Sequence, residues 1–132
     1  MNTKRSILIA GDILSIAILT VIGFATHGEA GVSFILRMGA TFLPLTAAWC
    51  LSAPLLGLFD EGIAAQPKML WRILPAMLLA APLAVMLRAA LLHGAGQPIF
   101  ALVLGGMNAL GLLLWRGVHA LNVKRSKKAS AD

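Results

Sequence analysis

Residues Ile7 to Thr26 read ILIAGDILSIAILTVIGFAT, and Asp12 is the one ionisable side chain among them. A helix of that length, at about 1.5 Å per residue, crosses the roughly 30 Å of hydrocarbon in a bilayer. A strand reading fails, because the stretch lacks period-two alternation and is far longer than a membrane strand. Three more stretches of the same kind follow, over about 34–58, 69–92 and 98–121. They are separated by HGEAG, FDEGIAAQPK and HGAGQ. Breaks this short force neighbouring helices to run antiparallel. The expected fold class is therefore all-α: a polytopic membrane protein with four transmembrane helices arranged as two antiparallel hairpins, a four-helix bundle.

Composition agrees. The 132 residues are 59% apolar before the 13 glycines are counted, whereas ordinary soluble domains reach about 45–50% with glycine included. Charged residues make up 12%, roughly half the usual share. Such a chain is neither disordered nor, at this size, able to hide its apolar surface in a soluble core. One cysteine, Cys50, excludes an internal disulfide framework or a cysteine-rich metal cluster. Residues 1–121 read as one transmembrane domain and residues 122–132 as a basic cytoplasmic tail.

Lysine and arginine set the direction. With the N-terminus inside, one side holds Lys4, Arg5, Lys68, Arg72, Arg116, Lys124, Arg125, Lys127 and Lys128, and the other only Arg37 and Arg88. The positive-inside rule then puts both termini in the cytoplasm of a multi-pass plasma (inner) membrane protein. Trp49, Trp71 and Trp115 all fall in the inner half of their spans, which reads as an interfacial aromatic belt. A cleavable secretory signal ending near Gly28-Glu29-Ala30 is the competing reading. The run is longer than a signal core and contains Asp12, which favours an uncleaved helix.

A shift of 66 residues brings His27 onto His93, Gly28 onto Gly94, Phe34 onto Phe100, Leu36 onto Leu102, Gly39 onto Gly105 and Trp49 onto Trp115. Because both hairpins run in the same direction, this echo reads as a parallel internal duplication. The plainer alternative is shared membrane composition with a common loop signal.

Ionisable residues inside apolar spans are costly and are candidate sites by default. Asp12 and Arg116 lie at matching depth, each about 7.5 Å inside its span, with Arg72 close to that level. Asp12 is expected to pair with Arg116, or alternatively with Arg72. The pair fixes helix register in one reading and forms a proton or ion site in another. A second polar group gathers on the opposite side: His27, Glu29, Arg37, Arg88 and His93. Snorkelling at the interface explains most of it. A haem held by His27 and His93 is conceivable, but both sit at the rim, and no cofactor is expected. His119 reads as another interfacial residue.

Packing is expected along small-residue stripes: Gly105, Ala109, Leu112 and Arg116 on the fourth helix, and Ala76, Ala80 and Ala84 on the third. Leu8, Asp12, Ser15 and Leu19 should share a face of the first. Pro44, Pro54, Pro75 and Pro82 are expected inside helices two and three, where each favours a kink. Lys124, Arg125, Lys127 and Lys128 stand in the tail at the position for contact with anionic lipid headgroups. Nucleic acid is not an expected partner, because no folded domain accompanies the basic run.

No nucleophile elbow, zinc-binding histidine pair, phosphate loop or CxxC is present. The chain is expected not to be an enzyme, and to act by association with itself or as an accessory subunit of a membrane complex. The alternative is a small transporter or channel for protons or an anion, using Asp12 and the buried arginines.

One resemblance adds to this. Asp12 in the first span, Gly23 and His27 closing it, Pro44 followed by Ala48-Trp49, then Met86-Leu87-Arg88, Phe100 and Trp115-Arg116 resemble the domain-of-unknown-function 3054 family. It comprises small four-helix membrane proteins of prokaryotes. The resemblance runs from about Gly11 to Arg116 and implies location and topology, not a reaction. It singles out Asp12, His27, Arg88, Trp115 and Arg116. The second span departs from it in lacking a glycine before Trp49, and the central loop is acidic.

Overall fold

The computed structural model describes residues 3–28 and 31–131. Four long helices dominate: α1 (Thr3–Thr26), α2 (Ile35–Ser52), α4 (Ile73–Leu92) and α5 (Pro98–Ala131), with a single-turn α3 (Glu61–Ala64) in the central loop. No strand occurs among the described residues. The stretches Thr3–Thr26, Ile35–Leu56, Pro67–Leu92 and Pro98–Ala131 are each long and apolar enough to cross a membrane. A helix closes its backbone hydrogen bonds within itself, so it can lie in lipid with no backbone group left exposed.

The helices pack as a closed ring. Helix α2 lies against α4, α4 against α5, α5 against α1, and α1 against α2. Buried positions on α1 recur every fourth residue, at Leu8, Asp12, Ile16 and Thr20. Helix α5 buries Gly105, Asn108, Ala109, Leu112, Arg116 and Ala120. The expected small-residue stripes are therefore inside, Ala76, Ala80 and Ala84 included. On α1 the buried line runs through Ile16 and Thr20, whereas Ser15 and Leu19 are half-buried beside Gly111 of α5. The inward faces are rich in small side chains and bring the backbones close. Large apolar side chains such as Leu36, Leu78 and Leu102 point outward, as expected of a body whose solvent is lipid. Polar side chains within the helices turn to their own backbone: Thr20 Oγ1 donates to the Ile16 carbonyl at 2.8 Å, and Asn108 Nδ2 to that of Leu104 at 2.9 Å.

Several boundaries differ from the sequence reading. Only Pro44 and Pro82 lie inside α-helices. Helix α2 ends at Ser52, and Pro54 sits in the first turn of a 3₁₀ segment, Ala53–Leu56, closed by Gly57 at φ 72°. Pro75 stands in the first turn of α4, after a 3₁₀ segment over Pro67–Arg72. Both prolines thus stand where the helix changes between α and 3₁₀ geometry, within the continuous spans Ile35–Leu56 and Pro67–Leu92. At the other end, α5 does not stop near residue 121. It continues to Ala131, through Lys and Arg residues that are good helix formers and complement the negative end of the helix dipole.

Candidate functional site

Asp12 is fully buried on α1, and four donors converge on its carboxylate. Arg116 Nε donates to Oδ1 at 3.0 Å and Nη2 to Oδ2 at 2.5 Å, a two-pronged fork. Trp115 Nε1 donates to Oδ1 at 3.1 Å, and Trp49 Nε1 to Oδ2 at 2.9 Å. Each oxygen thus accepts two hydrogen bonds, which matches the roughly four lone-pair positions of a carboxylate. Bidentate guanidinium–carboxylate pairing is the strongest such geometry a protein has available.

Three long helices and a loop meet there. Trp49 comes from α2, Trp115 and Arg116 from α5. Arg116 also reaches the central loop, where Nη1 donates to the Leu58 carbonyl at 2.5 Å and Cζ lies 5.8 Å from the centre of the Phe59 ring. Arg116 is only 1% exposed, so every part of the group is desolvated. Gly11 makes the approach feasible: a Cβ there would run into the Trp115 indole. His119 stacks one turn along α5, its ring 5.6 Å from that of Trp115 at a 46° tilt.

Arg72, the other expected partner of Asp12, goes elsewhere. Its Nη1 donates to the Leu56 carbonyl at 2.8 Å, and its Cζ lies 5.9 Å from the Trp71 ring. The two arginines therefore hold the carbonyls on either side of Gly57 in the turn that leaves α2. The aromatic-belt reading is corrected for two of the three tryptophans. Trp49 is 0% exposed and Trp115 half-buried, both as ligands of Asp12, while Trp71 is 57% exposed. The polarity of the residues did not mark either indole as a ligand of Asp12, although the family resemblance singled out Trp115. A signal was present, because the 66-residue shift pairs Trp49 with Trp115, the two that flank the carboxylate.

The polar group at the opposite end is not drawn into one site. Arg88 is half-buried; its Nε donates to Thr41 Oγ1 at 2.9 Å, and its Cζ sits 5.0 Å from the Phe100 ring. Thr41 Oγ1 in turn donates to the Arg37 carbonyl at 3.0 Å, so Arg88 is tied to α2. His27, Arg37 and His93 are exposed, His93 closing α4 at φ 51°. Glu29 lies outside the described residues. Lys124, Arg125, Lys127 and Lys128 are exposed on the extended end of α5.

The family model for proteins of unknown function designated DUF3054 matches residues 9–119. The chain belongs to this family. The matched segment of this DUF3054 protein contains the whole constellation around Asp12 and ends before Lys124. No curated protein matches the chain, and no solved structure does.

Proposed function

We propose that this DUF3054 protein is a four-helix bundle of the plasma (inner) membrane that acts by association, with itself or as an accessory subunit, and carries out no catalysis. The observation that carries this reading is the closed state of its buried charge. Every acceptor position of Asp12 faces a donor, so the carboxylate has no open position for a substrate, a proton donor or an ion. A constellation of that kind fixes how helices and loop sit together. The outward surface is left to make contacts, and it is apolar. Between α4 and α5 it is indented by a groove of about 550 Å³ lined by Met77, Ala81, Val85, Gly105 and Ala109. The lysine and arginine asymmetry supports both termini being cytoplasmic.

The test is purification in mild detergent after brief cross-linking of native membranes. A homo-oligomer or a defined complex is the expected species, and a lone monomer without any retained protein overturns the reading. A small transporter or channel is the competing reading. It is favoured by Asn108 Oδ1 and Thr46 Oγ1, buried polar atoms without a partner among the described residues. Proton or anion flux in liposomes that disappears in Asp12→Asn, with the fold intact, would establish that reading instead.

A further inference from the structure

Between α2 and α4 the chain makes a detour whose hydrogen bonds are its own. Asp60 N donates to the Gly57 carbonyl at 3.0 Å, and the Asp60 carboxylate caps α3 by accepting from Gly62 N at 2.8 Å and Ile63 N at 3.3 Å. Ala64 N, Ala65 N and Gln66 N donate back to the carbonyls of Asp60, Glu61 and Ile63, and Gln66 Nε2 to that of Gly62. Among the described residues, no hydrogen bond joins residues 60–66 to a long helix. They form a small body held together from within.

Both ends of this body have non-helical backbone. Gly57 stands at φ 72°, and Gln66 is extended at φ −99° and ψ 113° ahead of Pro67. Hinges are built from a few such loop or element-terminal positions. Just outside them, Arg72 Nη1 donates to the Leu56 carbonyl at 2.8 Å and ties the two stems together.

The body covers Arg116. Leu58 and Phe59 are 2% and 6% exposed, whereas the next residue, Asp60, is exposed, so the cover on this side is one residue thick. Arg116 Nη1 donates to the Leu58 carbonyl, and the Phe59 ring lies 5.8 Å from Cζ. That single polar bond and the burial of Leu58, Phe59 and Ala64 hold the body to the bundle.

We propose that residues 57–66 are a lid on the Asp12–Arg116 site, swinging at Gly57 and Gln66 and latched by the Leu58 carbonyl on Arg116 Nη1. Opening leaves α3 and the four long helices in place, draws Phe59 away from the guanidinium and lets water reach the ion pair. The freed Nη1 donates to water instead of the carbonyl, and Arg116 keeps both bonds to Asp12. Opening of this local kind needs less free energy than unfolding the whole chain.

The experiment is indole N–H exchange in deuterated buffer, followed by NMR on the full chain with isotope-labelled tryptophan in mild detergent. Trp49→Phe, Trp71→Phe and Trp115→Phe assign the signals. Trp49 Nε1–H is bonded to Asp12 at a fully buried position, so its exchange reports water arriving at the site. Trp71, 57% exposed, should exchange fast and Trp49 slowly. Phe59→Ala strips the cover and should speed Trp49 exchange at least about tenfold. Phe59→Leu keeps more of the packing, in case the alanine variant does not fold, and should speed it at least about threefold. Val85→Ala truncates an equally buried side chain beside Gly96, away from the lid, and should change the rate by less than about twofold. An unchanged rate in the Phe59 variants overturns the lid. So does equal acceleration by Val85→Ala, or a wild-type Trp49 proton that exchanges as fast as that of Trp71.

Discussion

Replacing Arg116 by Met removes a guanidinium and leaves a side chain of similar reach. The structure counts the losses: two charge-assisted bonds to Asp12 and one to the Leu58 carbonyl, all in a site shielded from water. Asp12 then keeps only the two indole donors. Stranding one member of a buried ion pair costs about 3–5 kcal/mol. Asp12→Leu in the Arg116→Met background removes the stranded charge and recovers part of that loss. The two substitutions should therefore be coupled by at least about 2 kcal/mol. Recovery stays incomplete, because the Trp49 and Trp115 N–H groups and the Leu58 carbonyl have lost their partners, at about 1–3 kcal/mol for each one left unsatisfied. Reversible unfolding in mixed detergent micelles, run as a double-mutant cycle, measures all of this. A single-variant cost below about 1 kcal/mol, or simple additivity of the two changes, would refute the claim that this pair holds α1 to α5.

Three further outcomes are expected. Trp49→Phe keeps the ring and removes one donor to Oδ2, so it should cost about 1–3 kcal/mol in the same unfolding assay. Gly11→Val pushes the Trp115 indole off the carboxylate and should lower stability by at least 1–3 kcal/mol through overpacking; the changed indole environment should show in tryptophan fluorescence. Gly57→Ala places a Cβ at φ 72° and within 2.8 Å of Ile63 Cδ1, which should cost about 1–3 kcal/mol and lower the melting temperature.

The four long helices were legible in the sequence because hydropathy over 20 residues reports directly on the solvent a helix can occupy. The meeting of Asp12 and Arg116 was legible for a related reason. A carboxylate at a given depth needs a counter-charge at that depth, and counting residues at a fixed rise locates it. Depth alone did not separate Arg116 from Arg72. That distinction lies in the 3₁₀ geometry of Pro67–Arg72, which aims Arg72 at the Leu56 carbonyl. The tryptophans were hidden for another reason. An indole is amphipathic and suits an interface, and only the packing of α2 and α5 against α1 shows that Trp49 and Trp115 spend their N–H on an acid. The reach of α5 to Ala131 was likewise unreadable from apolar content, because its last turns are helical without being hydrophobic.

The distance along the chain between Asp12 and its counter-charge, 104 residues, bears on biogenesis. At about 5–20 residues per second of translation, the acid is made roughly 5–20 s before Arg116 leaves the ribosome. Through that interval the nascent first helix carries an unbalanced carboxylate, and the earliest native ligand to arrive is the Trp49 indole. The full set of donors around Asp12 is thus complete only with the last helix, and a chain ending before residue 115 would lack three of the four.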